Sequence, residues 1–277
     1  MQGRKEARPP AKLLVITTLL SLILFGGIME RWERDLYGAK PGVYLEEIEV
    51  GSYLPHELMP ILEEKAAREQ TMPVEPGIDK NGQIIRGEAG ISIDVEATLE
   101  RILAAAPGEH VSVIRIQASP RYSENDLIGL EQTWGKYSTW YRGSLARKSN
   151  VRLACQTINY TVLWPGQIFS FNQVVGPRTA EYGYHQAPVM LDEELVPGVG
   201  GGVCQVATTL YNAVRLSALP VLERHTHSGK VNYVAKGLDA AVADGYMDLK
   251  FKNNRSSPII IRCYTTGGRI TAAIIGR

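Results

Sequence analysis

Gly200-Gly201-Gly202-Val203-Cys204-Gln205-Val206-Ala207-Thr208-Thr209-Leu210-Tyr211-Asn212 is the stretch on which the reading of this chain turns. Three glycines run into a cysteine, and the cysteine opens a segment that carries Val206, Leu210, Ala213 and Val214 at helical spacing. Glycine permits a tight turn and the close approach of a neighbouring group. The first turn of a helix presents unpaired N–H groups and the positive end of its dipole, which stabilise a thiolate and an oxyanion alike. Cys204 is therefore a candidate nucleophile for acyl transfer. It is equally a candidate structural thiol behind a glycine-rich loop, and its pKa and exposure decide between the two.

Cysteine acyl transfer needs a base, a group that orients the base, and an oxyanion site. Downstream lies Glu223-Arg-His-Thr-His-Ser228. On a strand, residues two apart share a face, so His225 and His227 are both expected to line one cleft opposite the helix start. Two surface histidines at a strand end, or a metal-binding pair, are the alternatives. Asp239, Asp244 and Asp248 are candidate orienting acids, and the sequence leaves the choice among them open. His185 is a further candidate. Arg178 and Arg224 are candidates for holding a substrate carboxylate, and Gly201 and Gly202 for making room beside Cys204 for substrate. Trp134, Trp140, Trp164, Tyr182 and Tyr184 read as core or cleft wall.

Around the cysteine segment, Leu145–Ile158 predicts a helix and Leu191–Pro197 a hairpin. Strands are predicted over Val221–His227, Val231–Val234, Asp248–Phe251, Pro258–Tyr264 and Ile270–Ile275. Helix followed by antiparallel strands is an α+β pattern. Residues 42–118 predict a smaller α+β unit, with an Asn81-Gly82 hairpin turn and Asp94 capping the helix Glu96–Ala105. Residues 119–131 read as a linker, and the second domain begins near Gln132.

With 277 residues, 30 basic and 29 acidic, the net charge is +1. That balance offers no field for nucleic acid. The N-terminus departs from it: Arg4, Lys5, Arg8 and Lys12 precede an uncharged apolar run from Leu13 to Met29, closed by Glu30-Arg-Trp-Glu-Arg-Asp35. This pattern predicts an uncleaved transmembrane signal anchor, with a cleaved signal as the alternative, the basic end in the cytoplasm and the bulk of the chain outside. The chain has three cysteines, an odd number. Cys155 and Cys263 lie in apolar segments and read as buried small hydrophobes, with a bridge between them left open. No zinc-finger spacing or HExxH helix is present, and no cofactor is expected.

Residues 132–277 resemble the VanW family of bacterial cell-surface proteins. The resemblance is carried by Asn159-Tyr-Thr-Val-Leu-Trp-Pro-Gly-Gln-Ile-Phe-Ser-Phe-Asn172, by Gly176-Pro-Arg-Thr-Ala-Glu-Tyr-Gly-Tyr184, and by the glycine-cysteine-helix segment. Glu223-Arg-His-Thr-His-Ser228 and Asp248-Leu-Lys-Phe-Lys-Asn-Asn254 complete it. Residues 42–118 are similar to the peptidoglycan-binding domain that often precedes VanW and L,D-transpeptidase domains. The expected organisation is a tail and anchor over 1–30, a peptidoglycan-binding domain over 40–120 and a VanW domain over 132–277. The family takes its name from a gene that accompanies glycopeptide-resistance clusters, without an assigned activity there. Some relatives are described as L,D-transpeptidases that use the cysteine of this glycine-rich segment.

The resemblance therefore implies a peptidoglycan L,D-transpeptidase acting on stem peptides through a thioester. Cys204 would be the nucleophile and His227 the base, with His225 second and Asp239 orienting. Two alternatives stand beside it. One is a non-catalytic wall-binding or accessory protein linked to envelope maintenance or glycopeptide resistance, and the other is a cysteine hydrolase of wall peptides. Two departures are visible. Many relatives have Asp-Ala-Thr-Val where this chain has Asp239-Ala-Ala-Val242, so a hydroxyl is missing beside the acid, and many carry a further G5-type module. Oligomeric state is not legible.

Overall fold

The computed structural model describes residues 25–191 and 194–277. The chain divides into two compact units, 1–74 with 88–120, and 75–87 with 121–277. The first helix, α1, is described over residues 25–37 and carries Glu30, Arg31, Glu33, Arg34 and Asp35. No helix among the described residues is long and apolar enough to cross a membrane. This corrects the predicted transmembrane helix: the described architecture is α+β without a membrane-crossing element. The start of the apolar run, residues 13–24, lies outside the described residues.

In the first unit, β1 (Tyr44–Leu45) pairs antiparallel with β2 (Ile48–Glu49). Helix α2 (Pro55–Glu69) follows, with proline in its first turn, where a missing N–H costs nothing. Glu57 accepts the Leu54 N–H at 2.8 Å and pairs with Arg34 at 2.7 Å. The hairpin of β3 (Gly77–Ile78) and β4 (Ile84–Ile85) belongs to the other unit. Strand β5 (Gly90–Ile93) leads to α3 (Val95–Ala104), whose N-terminus is capped by Asp94 accepting from Ala97 N–H at 2.9 Å, as predicted. Strand β6 (His110–Val111) pairs parallel with β1, and β7 (Arg115–Ala118) pairs with β5. Val43, Leu45, Leu58, Leu62, Ile93 and Ile102 close its core.

The second unit is built on a four-stranded antiparallel sheet with the order β8 (Gln132–Trp140), β16 (Arg269–Gly276), β15 (Ile259–Thr266), β9 (Thr161–Leu163). Helix α4 (Leu145–Ile158) packs on β15, and the cysteine helix α6 (Val203–Leu216) packs on β8 and β16. A second sheet has the order β10 (Ile168–Ser170), β14 (Lys250–Lys252), β13 (Val221–Glu223). The short helix α5 (Phe171–Val175) follows β10. Strands β11 (Gln186–Leu191) and β12 (Glu194–Val199) form a hairpin that delivers the chain to the glycines.

Ile259, Ile261 and Cys263 point from β15 into the main core with Val206, Leu210 and Val214 of α6 and Phe169, Phe171 and Phe251. Burying each such side chain contributes about 1.5–3 kcal/mol. Ile260 points the other way, into a smaller cluster with Leu127, Leu130 and Trp164, against which Ile78 and Tyr160 pack.

Candidate functional site

Gly200, Gly201 and Gly202 are buried, and their neighbours are protein. A Cβ on Gly201 would lie 2.6 Å from Pro188 O and 2.7 Å from Ala187 O. Gly202 has φ +107°, and a Cβ there would lie 2.8 Å from Val151 Cγ2 of α4. Asn150, also on α4, donates from Nδ2 to Gly201 O at 3.2 Å and to His185 O at 2.9 Å, and it accepts from His185 N–H at 2.8 Å. The glycines are thus the only residues that fit between a hairpin backbone and a helix. Their packing accounts for Gly201 and Gly202 without a substrate, contrary to the room expected beside Cys204. The His185 candidate contributes its backbone to the same turn.

The turn launches α6 so that Cys204 is the second helical residue. Val203 N–H bonds to Gly200 O and Gln205 N–H to Gly202 O, each at 3.1 Å. No acceptor for Cys204 N–H is found among the described residues. That N–H lies in the first turn of α6, at the positive end of the helix dipole.

Cys204 is half-buried, and its Sγ donates to Val242 O at 3.4 Å. His227 Nδ1–H donates to Asp239 Oδ2 at 2.8 Å, and His227 backbone N–H donates to the same oxygen at 2.8 Å. With Nδ1 held by the carboxylate, Nε2 is the ring nitrogen left for the thiol, and the imidazole is near enough to Cys204 to influence it. The His227 and Asp239 side chains are 8% and 9% exposed, so water screens their pairing little.

The three groups shift in concert. Burial pushes the Cys204 thiol up, but the neighbouring His227 imidazole and the nearby Arg178 charge outweigh it and hold the thiol below its ordinary value. Burial pushes His227 down, and the bonds to Cys204 and Asp239 raise it above its ordinary value. Burial raises Asp239, and the two His227 donors bring it below the usual carboxylate range. A thiol lowered beside an imidazole raised is the pattern of a cysteine nucleophile with its base.

What holds Asp239 in place is a strap, residues 238–242, laid along α6. Cys204, Thr208 and Asn212 stand one turn apart on the helix and bond to Val242, Ala240 and Leu238 in turn. Cys204 Sγ donates to Val242 O, Thr208 Oγ1 donates to Ala240 O at 3.1 Å and accepts Ala240 N–H at 2.9 Å, and Asn212 Nδ2 donates to Leu238 O at 2.7 Å. Four helical residues rise about 6.0 Å, close to the about 6.6 Å spanned by two residues of extended chain, so the two ladders stay in step. The odd residues face the other way: Asp239 takes His227, and Ala241 N–H donates to His225 O at 2.8 Å. The hydroxyl absent at Ala241 is not needed for the Asp239–His227 bond.

The remaining candidates are placed elsewhere. The predicted strand stops at Glu223, so the two histidines do not share a face. His225 Nε2 pairs with Glu223 Oε1 at 3.0 Å, a correction to its expected place beside the thiol. Asp248 accepts from Ser170 Oγ at 2.5 Å and from Asn172 N–H at 2.9 Å, fixing the start of α5. Asp244 is bound to Arg178, whose second nitrogen donates to Asn172 Oδ1 at 2.6 Å. Arg178 is near enough to influence the Cys204 thiol but is engaged by protein. Arg224 donates to Asp239 O at 2.8 Å and Gly237 O at 2.9 Å and lies over the Tyr211 ring, bracing the strap.

Three participants were not singled out from sequence: Thr208, Val242 through its carbonyl, and Tyr233, a phenol pushed up by burial that lies near Cys204 and Thr208. Thr208 and Asn212, polar residues one and two turns after Cys204 in an apolar helix, were the available signal. No group of three or more His, Cys, Asp or Glu suited to a metal ion occurs among the described residues.

Comparison with known proteins places this site inside a recognised region. The family described as VanW like protein matches residues 146–275, which include Cys204, His227, Asp239 and Val242. The chain is 37% identical over 212 residues to the Bacillus subtilis (strain 168) protein named Uncharacterized protein YoaR, covering 75% of this chain and 69% of that one. It is 29% identical over 110 residues to Vancomycin B-type resistance protein VanW of Enterococcus faecalis (strain ATCC 700802 / V583), covering 38% of this chain and 40% of the other. No solved structure matches.

Proposed function

The chain belongs to the VanW-like family, and from that footing we propose that it is a cell-wall protein acting outside the cytoplasm, a peptidoglycan L,D-transpeptidase with Cys204 as nucleophile. The wall association rests on the relative named for vancomycin B-type resistance. The observation that carries the catalytic reading is the line Cys204–His227–Asp239 at the start of α6.

In this reading His227 Nε2 takes the Cys204 proton, and Asp239 keeps the imidazole in the tautomer that can accept it. The thiolate attacks the carbonyl that precedes the terminal D-alanine of a tetrapeptide stem. The Cys204 N–H at the helix start receives the oxyanion; one such donor is worth about a hundred- to a thousandfold in rate. The peptide bond breaks, the imidazolium returns its proton to the departing D-alanine amine, and a thioester remains. An amine of a neighbouring stem, deprotonated by His227, attacks the thioester and expels the thiolate, completing the cross-link.

Intact-protein mass spectrometry after incubation with a tetrapeptide stem ending in D-alanine tests this directly. The wild-type protein is expected to gain the stem mass less D-alanine on Cys204, and Cys204→Ala to gain nothing. No adduct on folded wild-type protein, or the same adduct on the alanine variant, overturns the reading. An adduct that water alone resolves, with no cross-linked product, assigns a hydrolase instead.

A further inference from the structure

We infer that Thr208 is a positioning residue for the Cys204 site: its hydroxyl, bonded to both backbone groups of Ala240, sets the placement of the strap that carries Asp239 to His227 and Val242 O to the thiol. This rests on the reading of Cys204 as an activated thiol, and it extends that reading to a residue that touches neither substrate nor reacting atoms.

The argument is geometric. Of the three rungs between α6 and the strap, the Thr208 rung is the middle one and the only double one, 3.1 Å to Ala240 O and 2.9 Å from Ala240 N–H. The outer rungs are single on the strap side, Cys204 to Val242 O and Asn212 to Leu238 O. Ala240 is covalently next to Asp239, so the Ala240 N–H that Thr208 accepts belongs to the peptide that joins it to the residue bearing the orienting carboxylate. Ala240 and Thr208 are both fully buried, so no water replaces a lost partner. Without the hydroxyl, Ala240 N–H and C=O lose their shared partner, and buried backbone groups seek another. The strap then shifts, and the displacement acts on Asp239 on its opposite face.

A generic packing role predicts lost stability alone. A positioning role predicts a change in the chemistry of Cys204. The test is the pH dependence of iodoacetamide alkylation at Cys204 in the full chain, read by peptide mass spectrometry so that the buried Cys155 and Cys263 do not contribute. Thr208→Val replaces the hydroxyl by a methyl at similar volume, and Thr208→Ser keeps the hydroxyl. Wild-type protein is expected to alkylate at lower pH than an ordinary thiol. Thr208→Val is expected to shift that profile upward by at least one pH unit, about a tenfold loss of rate on its acid side, and Thr208→Ser to restore it. If Thr208→Val does not fold, Thr208→Ala, which removes the hydroxyl without adding a methyl in its place, is read the same way.

A Thr208→Val or Thr208→Ala profile that superimposes on wild type overturns this inference and leaves the Cys204 reading standing. An ordinary thiol profile in wild-type protein overturns both. Failure to cross-link stem peptides, with the shift present, overturns the transpeptidase assignment and leaves Thr208 in place.

Discussion

At the residue scale the site depends on two shifts of opposite sign. Cys204 lies below its ordinary value because the neighbouring His227 imidazole and the Arg178 charge outweigh burial. His227→Gln removes the imidazole and leaves burial dominant, so the alkylation profile of Cys204 is expected to move upward, past that of an exposed thiol. A profile unchanged in His227→Gln would remove His227 as the base. Asp239 is held below the usual carboxylate range by two His227 donors, against burial. The folded pKa is the lower one, so this carboxylate contributes stability that is complete above roughly pH 4, the unfolded value, and is lost as pH falls through the folded value. Asp239→Asn is expected to flatten the fall in melting temperature between roughly pH 5 and pH 2 and to reduce turnover by about four orders of magnitude, as a wrong imidazole tautomer does. Cys204 and the pair His225 and His227 were legible as candidates because glycine, cysteine and histidine carry their chemistry in their identity. The choice of His227 over His225, and of Asp239 over Asp244 and Asp248, came only with the family resemblance, since the acids lie in one irregular stretch and only the strap's alternation turns Asp239 toward His227.

At the scale of elements, the glycine turn does structural work on which the chemistry depends. Gly201→Ala would drive a methyl against Ala187 O and Pro188 O, and Gly202→Ala would combine that kind of overlap, here with Val151, with a left-handed backbone. Each is expected to cost about 1–3 kcal/mol, measured by urea denaturation. A cost near zero would mean that the turn is not packed as described.

Helix α6 was legible from its apolar period, and α4 matched its predicted bounds. Strand β8 was not foreseen. It carries Gly135 where a side chain would otherwise alternate, because a Cβ there would overlap Ala213 O of α6 and Ser217 Oγ just after it. The strand predicted over Val221–His227 fails after Glu223 because the segment leaves β14 and meets the strap through the single bridge His225–Ala241. The strand predicted over Val231–Val234 is irregular. Local alternation does not record which backbone is near.

At the scale of the molecule, one division between units, after Pro120, falls within residues 119–131 that read as a linker, but the units also exchange a segment that composition does not mark: residues 75–87 belong with 121–277. The reason lies in Ile78 and Tyr160, which pack on the cluster of Leu127, Leu130, Trp164 and Ile260. A Cβ on Gly82 would meet the Tyr160 hydroxyl at 2.7 Å. Removing residues 1–120 therefore strips the second unit of part of itself. Calorimetry of 121–277 is expected to show a melting temperature at least about 2–4 °C below that unit's transition in the full chain, the equivalent of about 1 kcal/mol. Equal transitions would make the hairpin dispensable.

The central claim is that Cys204 of this VanW-like protein forms peptidoglycan cross-links. It is tested most directly by mass spectrometry of muropeptides after incubating purified wall material with the full-length protein or with Cys204→Ala. The account predicts L,D-cross-linked dimers with the wild-type protein and none with the folded variant. The same dimers with both, or none with either, would contradict it.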